Sequence, residues 1–353
     1  MPDSRMPFSE LDLALVHALQ EAPRAPWSEI GRALDVDART AARRWSQLTD
    51  AGLAWLTGYQ SPKTVTVAHI EVTCRPGQVS LVAAAMAAQE CVFGIDRTAG
   101  DFDLFLSVVS DGLPALGQWV NDVLGALPGV QSSRTRPCLR LYGEGSDWTV
   151  GALEPAGRAR LTSGRTPHLP SDTADSVRYL PPEDQALIGA LGADGRLAYT
   201  ELGARTGLSE HTARRRLQRL MRDGDIAFRC DFARPLGGYP AAAIYHAAVP
   251  HAQLEATGIA LSQLAPVRLS ASISGPHNLL FVIWLPSMSG ASALEALLAD
   301  RFPALQVRNR SVILETPKRM GHLLDHHGRT RGRLSPAPFR ARFPDEDGFS
   351  GRL

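Results

Sequence analysis

The chain has 353 residues, a formal net charge of +1 and 21% charged residues, which suits a water-soluble protein of two to four compact domains. The near-zero net charge excludes a chain-wide basic field for nucleic acid, so any such signal must be local. The longest apolar run, 279–285, is far too short to span a bilayer.

The N-terminus carries no apolar stretch that could act as a secretion signal, so we expect a cytoplasmic protein without a membrane partner. Four cysteines, at 74, 91, 138 and 230, show no C-x-x-C spacing. This argues against a zinc cage or a disulfide framework. The sequence therefore predicts no cofactor and no metal.

Residues 7–60 predict a first helix-turn-helix domain. Asp37 is placed to cap its third helix, and Ala41, Trp45 and Leu48 share the spacing of one buried face. The candidate DNA contacts of this copy are Arg39, Thr40, Arg43 and Arg44. Neighbouring aspartates dilute the positive charge, which leaves open whether this copy reads DNA or is mainly structural.

Residues 61–143 predict a small sandwich domain in the order strand, helix, strand, strand, helix, strand. That order is a ferredoxin-like βαββαβ unit, with an antiparallel sheet covered by helices on one face. The face of the sheet that has no helices must be covered by another protein surface. Residues 144–178 follow, rich in Gly, Pro, Ser and Thr, and predict a linker with a short ordered segment at its start.

The first unit is then repeated. Residues 27–54 align without a gap onto 199–226 at an offset of 172, which predicts a second helix-turn-helix domain over 179–235. A weaker match at an offset of 175 predicts a second sandwich over 236–320. Three extra residues in the second copy fall in loops, where insertions cost little.

The third helix of the second copy carries the strongest functional signal. Ser209 is placed as its N-cap, and Ala213, Leu217 and Leu220 form the buried face. Five arginines against the single Glu210 make the segment basic enough to contact phosphates or a guanine edge, although a solvated basic face is the alternative. The candidate DNA contacts here are Ser209, His211, Thr212, Arg214, Arg215, Arg216, Gln218 and Arg219, of which His211, Thr212, Arg215 and Arg219 are expected to point outward.

After residue 320 the chain is rich in His, Arg, Gly and Pro, which predicts a disordered tail over 321–353. His322, His326 and His327 include an i, i+4 pair but lack acidic or cysteine companions, so they do not predict a metal site. The tail arginines could add nonspecific DNA affinity or only keep the end soluble.

Taken together, these motifs resemble the Lrp/AsnC family of feast-or-famine regulators. The residues that carry the resemblance are Asp184, Leu187, Ile188, Gly195, Arg196, Glu201, Leu202, Gly207, Leu208, Ser209, Thr212, Arg216, Leu217, Leu220, Gly224, 100–103 and 128–130. The resemblance implies an α+β protein of two winged helix-turn-helix domains alternating with two AsnC-type ferredoxin-like sandwich domains. It also implies double-stranded DNA as partner.

The resemblance further implies a small-molecule effector, such as an amino acid, held near the turn Gly100-Asp101-Phe102-Asp103. The candidate effector contacts are Thr98, Gly100, Asp101, Asp103, Gly275, His277 and Asn278. Asp101 and Asp103 could hold an ammonium group or only shape a hairpin. The second copy lacks both acids, so any effector chemistry there should differ.

Family members pair these domains between chains. Here both partners lie on one chain, so we expect an internal pseudo-dimer that assembles further into a homo-oligomer. Two alternatives to the regulator stay open. Siroheme decarboxylases resemble a pair of the same units, with His277, Asn278 and the Trp284 strand as thin support, and a sensor could have lost DNA binding altogether.

Overall fold

The computed structural model describes residues 7–161, the backbone of 171–172, and residues 179–340. The first unit opens with helices α1 (Glu10–Glu21), α2 (Trp27–Leu34) and α3 (Ala38–Asp50), followed by strand β1 (Ala54–Gln60). Ser9 and Asp12 form a capping box at α1, and the Asp37 side chain caps α3 by accepting from the Thr40 amide. These caps fix where α1 and α3 begin.

The first sandwich follows as β2 (Thr66–Cys74), α4 (Val79–Ala87), β3 (Val92–Ala99), β4 (Leu104–Ser110), α5 (Leu113–Trp119) and β5 (Val130–Gly143). A π-helical turn, Val120–Leu124, continues α5, which sequence periodicity did not indicate. One sheet face packs under the helices around the fully buried Trp119. The apolar residues of β2 and β4 that alternate onto that face explain why it is covered.

A short helix α6 (Pro155–Ala159) and strand β6 (Ser171–Asp172) precede the second unit. That unit repeats the plan with α7 (Pro182–Ala193), α8 (Tyr199–Thr206), α9 (Glu210–Asp223) and β7 (Ile226–Phe232). Gly207 ends α8 in the left-handed region at φ 70°, and Asp35 ends α2 there at φ 56°. The tight turn before each third helix therefore has the same geometry in both copies.

The second sandwich comprises β8 (Ala241–Ala248), α10 (His251–Ser262), β9 (Val267–Ile273), β10 (Leu279–Leu285), α11 (Gly290–Arg301) and β11 (Gln306–Arg319). A hairpin of β12 (His322–Leu324) and β13 (Thr330–Arg333) extends β11. The predicted fold class, helix-turn-helix domains alternating with ferredoxin-like sandwiches, is confirmed. No helix among the described residues is both long and apolar enough to cross a membrane.

The two sandwich sheets join edge to edge and close into a barrel. Within each sheet the order is β3-β4-β2-β5 and β9-β10-β8-β11, and the sheets are joined by β5 with β9 and by β11 with β3. The face that each sheet leaves free of helices therefore turns inward toward the other copy. Closure removes the exposed sheet edges that an isolated sandwich would present.

A pseudo-two-fold axis relates the two copies, and the residues beside it are unlike. Glu71 and His246 occupy equivalent positions, and the His246 Nε2 lies 3.0 Å from the Glu71 Oε1. Burial opposes ionisation of Glu71, but hydrogen bonds from His246 and Arg136 outweigh it and lower the pKa of this carboxyl. A complementary pair thus occupies the centre of the barrel.

A reciprocal pair of arginines, Arg24 and Arg196, joins the two helix-turn-helix domains, and we call this pair the arginine clasp. Arg24 donates to the carbonyl oxygens of Gly195 and Leu197, and the equivalent Arg196 donates to those of Pro23 and Ala25. Strands β1 and β7 also pair antiparallel, joining the two domains by a backbone ladder. The relative placement of α3 and α9 is therefore set by contacts within the chain.

Two predictions from the sequence are corrected by the structure. The expected disordered tail is ordered over 321–340: His322 stacks on Trp55 at 5.1 Å, and Phe339 exchanges backbone hydrogen bonds with Val109 and Asp111. Residues 341–353 lie outside the described ranges. In the expected linker, 144–161 is packed, with the Trp148 indole donating to the Ala265 carbonyl oxygen at 2.7 Å. Residues 162–170 and 173–178 lie outside the described residues.

Candidate nucleic-acid interface and effector sites

Helix α9 presents a polar face that its packing leaves exposed. Ala213, Leu217 and Leu220 are buried, which orients the helix as its 3.6-residue period requires. The side chains on the outer face are exposed at His211, Arg215 and Gln218. Neither a hydrogen bond nor an ion pair within the described residues engages Arg215, so its guanidinium is available to a partner.

All four of the other arginines of α9 have internal partners, Arg222 through its neighbour Asp223 at 3.7 Å. Arg216 donates to the Asp184 Oδ1 at 3.0 Å, and Arg219 pairs with the Asp184 Oδ2. Arg214 pairs with Glu210 at 2.9 Å and lies over the Tyr199 ring. The expectation that Arg219 points freely outward is therefore corrected, because the fully buried Asp184 of α7 draws it back toward the domain.

The start of α9 is held by its own side chains. Ser209 accepts from the Thr212 amide at 3.2 Å and donates its hydroxyl to the Thr212 hydroxyl oxygen at 2.9 Å. A capped first turn keeps the remaining amides pointing outward along the helix axis, a common arrangement for phosphate contact. Both residues are thus bonded to each other in the free protein.

Helix α3 presents a similar but smaller basic face. Arg39 and Arg43 are exposed, and no partner for either is described. Thr40 is bonded to the Asp37 cap, and Arg44 lies 3.5 Å from Asp12, matching the pair that Arg216 makes with Asp184 in the second copy. Arg43 and Arg215 are therefore equivalent exposed arginines on two helices of fixed relative placement.

The turn of the first sandwich lies against the second sandwich. The Asp103 carboxylate accepts from the Cys74 amide at 2.7 Å, and the Thr98 hydroxyl donates to the Phe102 carbonyl oxygen. Asp101 accepts from Asn309 of β11 at 3.1 Å, and a Cβ on Gly100 would lie 2.7 Å from Ser311 Oγ. In the free protein, these groups shape the hairpin and its contact with the other copy.

The corresponding turn of the second sandwich lies against the first. Asn278 bonds the amide and carbonyl groups of Val249, as Asp103 bonds Cys74. A Cβ on Gly275 would collide with Arg136 of β5. Partial burial, with His246 and Arg136 nearby, lowers the pKa of His277. Both turns therefore lie at the boundary between the sandwiches, but no carboxylate is present in the second one.

The sequence did not indicate a buried basic cluster between strands β1 and β7, which we call the wing strands, and the barrel. Arg268 donates to Asp231 at 2.5 Å and stacks on Trp284 and Trp148, with ring distances of 4.2 and 4.7 Å. Arg229 pairs with the same carboxylate at 2.7 Å. The sequence does place an arginine in each of several mostly apolar strands. Because those strands are far apart in the chain, it does not show that the arginines meet.

Two helix-turn-helix units on one closed pair of sandwiches define a helix-turn-helix protein with a built-in pairing domain. The family model for the AsnC-type helix-turn-helix domain matches 8–49 and 184–221, and that for the Lrp/AsnC ligand binding domain matches 67–147. An uncharacterised HTH-type transcriptional regulator of Pyrococcus furiosus is 30% identical over 133 residues, covering 36% of this chain and 89% of the relative. The chain belongs to the Lrp/AsnC family.

Two further proteins show similarity. The HTH-type transcriptional regulator FL11 of Pyrococcus horikoshii is 25% identical over 150 residues, covering 41% of this chain and 99% of FL11. The solved structure of the siroheme decarboxylase NirDL is similar over 88% of this chain and 93% of that chain, with a TM-score of 0.57 and 12% identity. At that identity the likeness is one of fold alone.

Proposed function

We propose that this protein is a transcriptional regulator that binds a specific double-stranded DNA site through α9 and α3. The observation that carries the proposal is the pair of equivalent, exposed and internally unpaired arginines, Arg215 and Arg43. Unpaired guanidinium groups on the outer face of a third helix suit phosphates or the edge of a guanine in the major groove. The names of the relatives agree with this function.

The arginine clasp supports a bipartite site. Because Arg24 and Arg196 join the two domains, α3 and α9 would meet DNA as one rigid unit. The outer faces of the two helices differ, with Arg39 and Arg43 on one and His211, Arg215 and Gln218 on the other. The proposed operator therefore has two unlike half-sites.

The experiment is binding of the purified chain to the DNA upstream of its own gene at two salt concentrations, against random competitor. We expect Arg215→Ala to weaken binding by about 1–3 kcal/mol and to reduce the salt slope by about 1, with Arg43→Ala acting in the same direction. Arg301→Ala, at the exposed end of α11, is the matched control. The control should bind like the parent. If Arg215→Ala and Arg43→Ala also bind like the parent, the proposal fails.

We also propose that a small effector, such as an amino acid, acts at the turns that carry Thr98, Gly100, Asp101, Asp103, Gly275, His277 and Asn278. Asp101 supports it, since its carboxylate is exposed and has one described partner, Asn309. Adding amino acids to the DNA assay tests it. A shift in affinity that Asp101→Asn abolishes supports this site, and a shift that survives the change places the effector elsewhere.

Further assembly into a homo-oligomer is also proposed. Leu139 of β5 and Leu314 of β11 are equivalent and expose 45% and 66% of their surfaces. Two apolar side chains at matching positions would suit symmetric contacts between copies. Sedimentation of the parent and of Leu139→Ser with Leu314→Ser tests this proposal, because an unchanged mass would contradict it.

A siroheme-decarboxylase-like enzyme is the second candidate. Its specific support is a basic cavity inside the barrel, together with the architecture shared with NirDL. Titration with iron-uroporphyrin, followed by absorption spectroscopy, separates the two functions. Stoichiometric binding would favour the enzyme, and no spectral change would leave the regulator.

A further inference from the structure

A cavity lies where the wing strands meet the inside of the barrel. Its empty volume is about 1060 Å³, part of which opens to solvent. Tyr59 of β1 and Arg229 of β7 form one wall, and Pro336 and Pro338 lie at another. The cavity therefore touches the helix-turn-helix pair, the barrel and the segment 334–340, which we name the C-terminal arm.

This cavity holds more positive than negative charge. Four basic side chains line it, those of Arg229, Arg268, Lys318 and Arg319, and they outnumber the lining carboxylates of Asp96 and Glu144 together with Asp231, the partner of Arg229 and Arg268. Burying an uncompensated charge costs several kcal/mol, so the one positive charge in excess at this position calls for an anion. Of the four, Lys318 donates to the carbonyl oxygens of Ala87 and Gln89.

The donors of two of these arginines are not fully used. Arg268 donates to Asp231, but its Nε and Nη1 have no hydrogen-bond partner within the described part of the chain. Arg319 makes two long bonds of 3.4 Å, to Asp96 and to Thr316. Guanidinium groups with spare donors bind a carboxylate strongly, because each such bond is charge-assisted.

The remaining walls are mostly apolar. Val67, Phe105, Val109 and Val282 line the cavity, together with His69. Burial lowers the pKa of His69 to about 4, so this side chain is neutral at physiological pH and adds no charge. A mostly apolar cavity with a few charged groups in its wall is the usual form of a site for an amphipathic small molecule.

We infer that this cavity binds a small carboxylate with an apolar body and no ammonium group, its carboxylate held by Arg319 and Arg268. The lining carboxylates that could receive an ammonium already have hydrogen-bond partners on one oxygen each. Glu144 accepts from Tyr59 and Ser146, and Asp96 accepts from Thr316 and Arg319. An amino acid would therefore bury its ammonium without a full partner, at a cost in affinity.

This site is separate from the turns named above, because none of their candidate effector residues lines the cavity. A ligand inside it would contact Tyr59 and Arg229, which belong to the strands that join the two helix-turn-helix domains. Occupancy would then change how those domains are held relative to the barrel. This regulatory part rests on the proposed function, whereas the binding site itself does not.

The test uses the full chain and isothermal titration calorimetry. The probes are phenylacetate, phenylpyruvate, indoleacetate and octanoate, with phenylalanine and benzyl alcohol as the zwitterionic and neutral counterparts. We expect at least one carboxylate to bind about tenfold or more tightly than either counterpart, since a bond to a charged group contributes about 1.5–3 kcal/mol.

Two variants locate the binding. Arg319→Gln should weaken the carboxylate by about tenfold or more, and Val109→Phe should weaken it by narrowing the cavity without altering an arginine. Arg97→Gln is the matched control, because Arg97 also joins β3 to β11 through one carboxylate, Glu315, but does not line the cavity. Thermal unfolding of each variant verifies that it is folded.

The outcomes separate this site from the DNA-binding function. If no carboxylate in the panel binds, if phenylalanine binds as tightly, or if both variants bind like the parent, the inference is wrong, whatever the chain does with DNA. If the carboxylate binds and both variants lose it while DNA binding is absent, the site stands and the proposed function fails. If both hold, the carboxylate should shift DNA affinity in the parent and not in Val109→Phe.

Discussion

Asp184 shows how one buried side chain decides what a recognition helix can present. Its carboxylate is fully buried and pairs with both Arg216 and Arg219. These two arginines of α9 are therefore held in ion pairs inside the domain. Basic composition alone therefore overstates the number of free charges on this helix. Arg215 is exposed and has no partner among the described residues, so it is the arginine of α9 that is available to bind DNA.

Replacing Asp184 should destabilise the second helix-turn-helix domain. Asp184→Asn leaves two guanidinium groups without their carboxylate, and we expect the free energy of unfolding to fall by about 3 kcal/mol. Urea unfolding measures this loss. Glu183→Gln is the control, because this exposed neighbour lies 3.9 Å from Arg216 and should contribute little. Equal effects of the two changes would contradict the central role of Asp184.

Two buried histidines predict a loss of stability in mild acid. Burial lowers the pKa of both His69 and His322 to about 4, from an ordinary value near 6.5. Between these values the unfolded chain binds protons that the folded chain does not, so stability falls as the pH drops from about 6.5 to about 4. Each histidine should contribute up to about 2 kcal/mol of this loss between pH 6.5 and pH 5.

Urea unfolding at about pH 7.5, 6 and 5 checks this pH dependence. His69→Gln and His322→Gln should each flatten the profile. His251→Gln, at the exposed start of α10, should leave its slope unchanged. A profile as steep in both buried-site variants as in the parent would show that other groups govern the loss.

At the scale of elements, the C-terminal arm ties the second helix-turn-helix domain to the barrel. Ser335 donates to the Gly189 carbonyl oxygen of α7, and the Phe339 amide donates to Val109 of β4. Arg340 reaches Tyr179 and Asp111. The arm thus joins two domains and covers part of the cavity.

Ending the chain after Arg333 should therefore destabilise the protein by about 3 kcal/mol, since several hydrogen bonds of about 1 kcal/mol each are lost. The reference is a chain ending after Arg340, which keeps the whole arm. Thermal unfolding compares the two. If the shorter chain is as stable as the reference, the arm does not contribute to the stability of the protein.

The helices and strands of both sandwiches could be predicted, because their apolar periods are local and each buried face is continuous along an element. The exposed face of α9 followed from the same period. The arm could not be predicted, because its partners on α7 and β4 are far away in the chain and its composition is that of a disordered tail. The cavity arginines were missed for the same reason, as β7, β9 and β11 meet only after the barrel closes.

At the scale of the whole molecule, we expect the barrel to make the two sandwiches one cooperative unit. Ile70 packs under the helices of the first sandwich and Phe281 under those of the second, and both are fully buried. Because each sheet pairs with the other at both edges, neither can open without breaking the other's ladder. Sandwich domains linked only by a tether would unfold separately.

Ile70→Ala should therefore destabilise both sandwiches together by about 2–5 kcal/mol, and Phe281→Ala by about 3–5 kcal/mol. Hydrogen exchange of peptides from β2 and β10 in mild denaturant measures each side. We expect either change to speed exchange in both peptides. Faster exchange confined to the mutated side would mean that the barrel is not cooperative.

The contact between Glu71 and His246 has a consequence for how such a gene can change. Making the two copies identical at this position would place glutamate against glutamate, or histidine against histidine, at the centre of the barrel. Like groups at that separation cannot both be charged without a large penalty. A change that made the two copies alike at this position would therefore lose the contact between a carboxylate and an imidazole that the present pair makes.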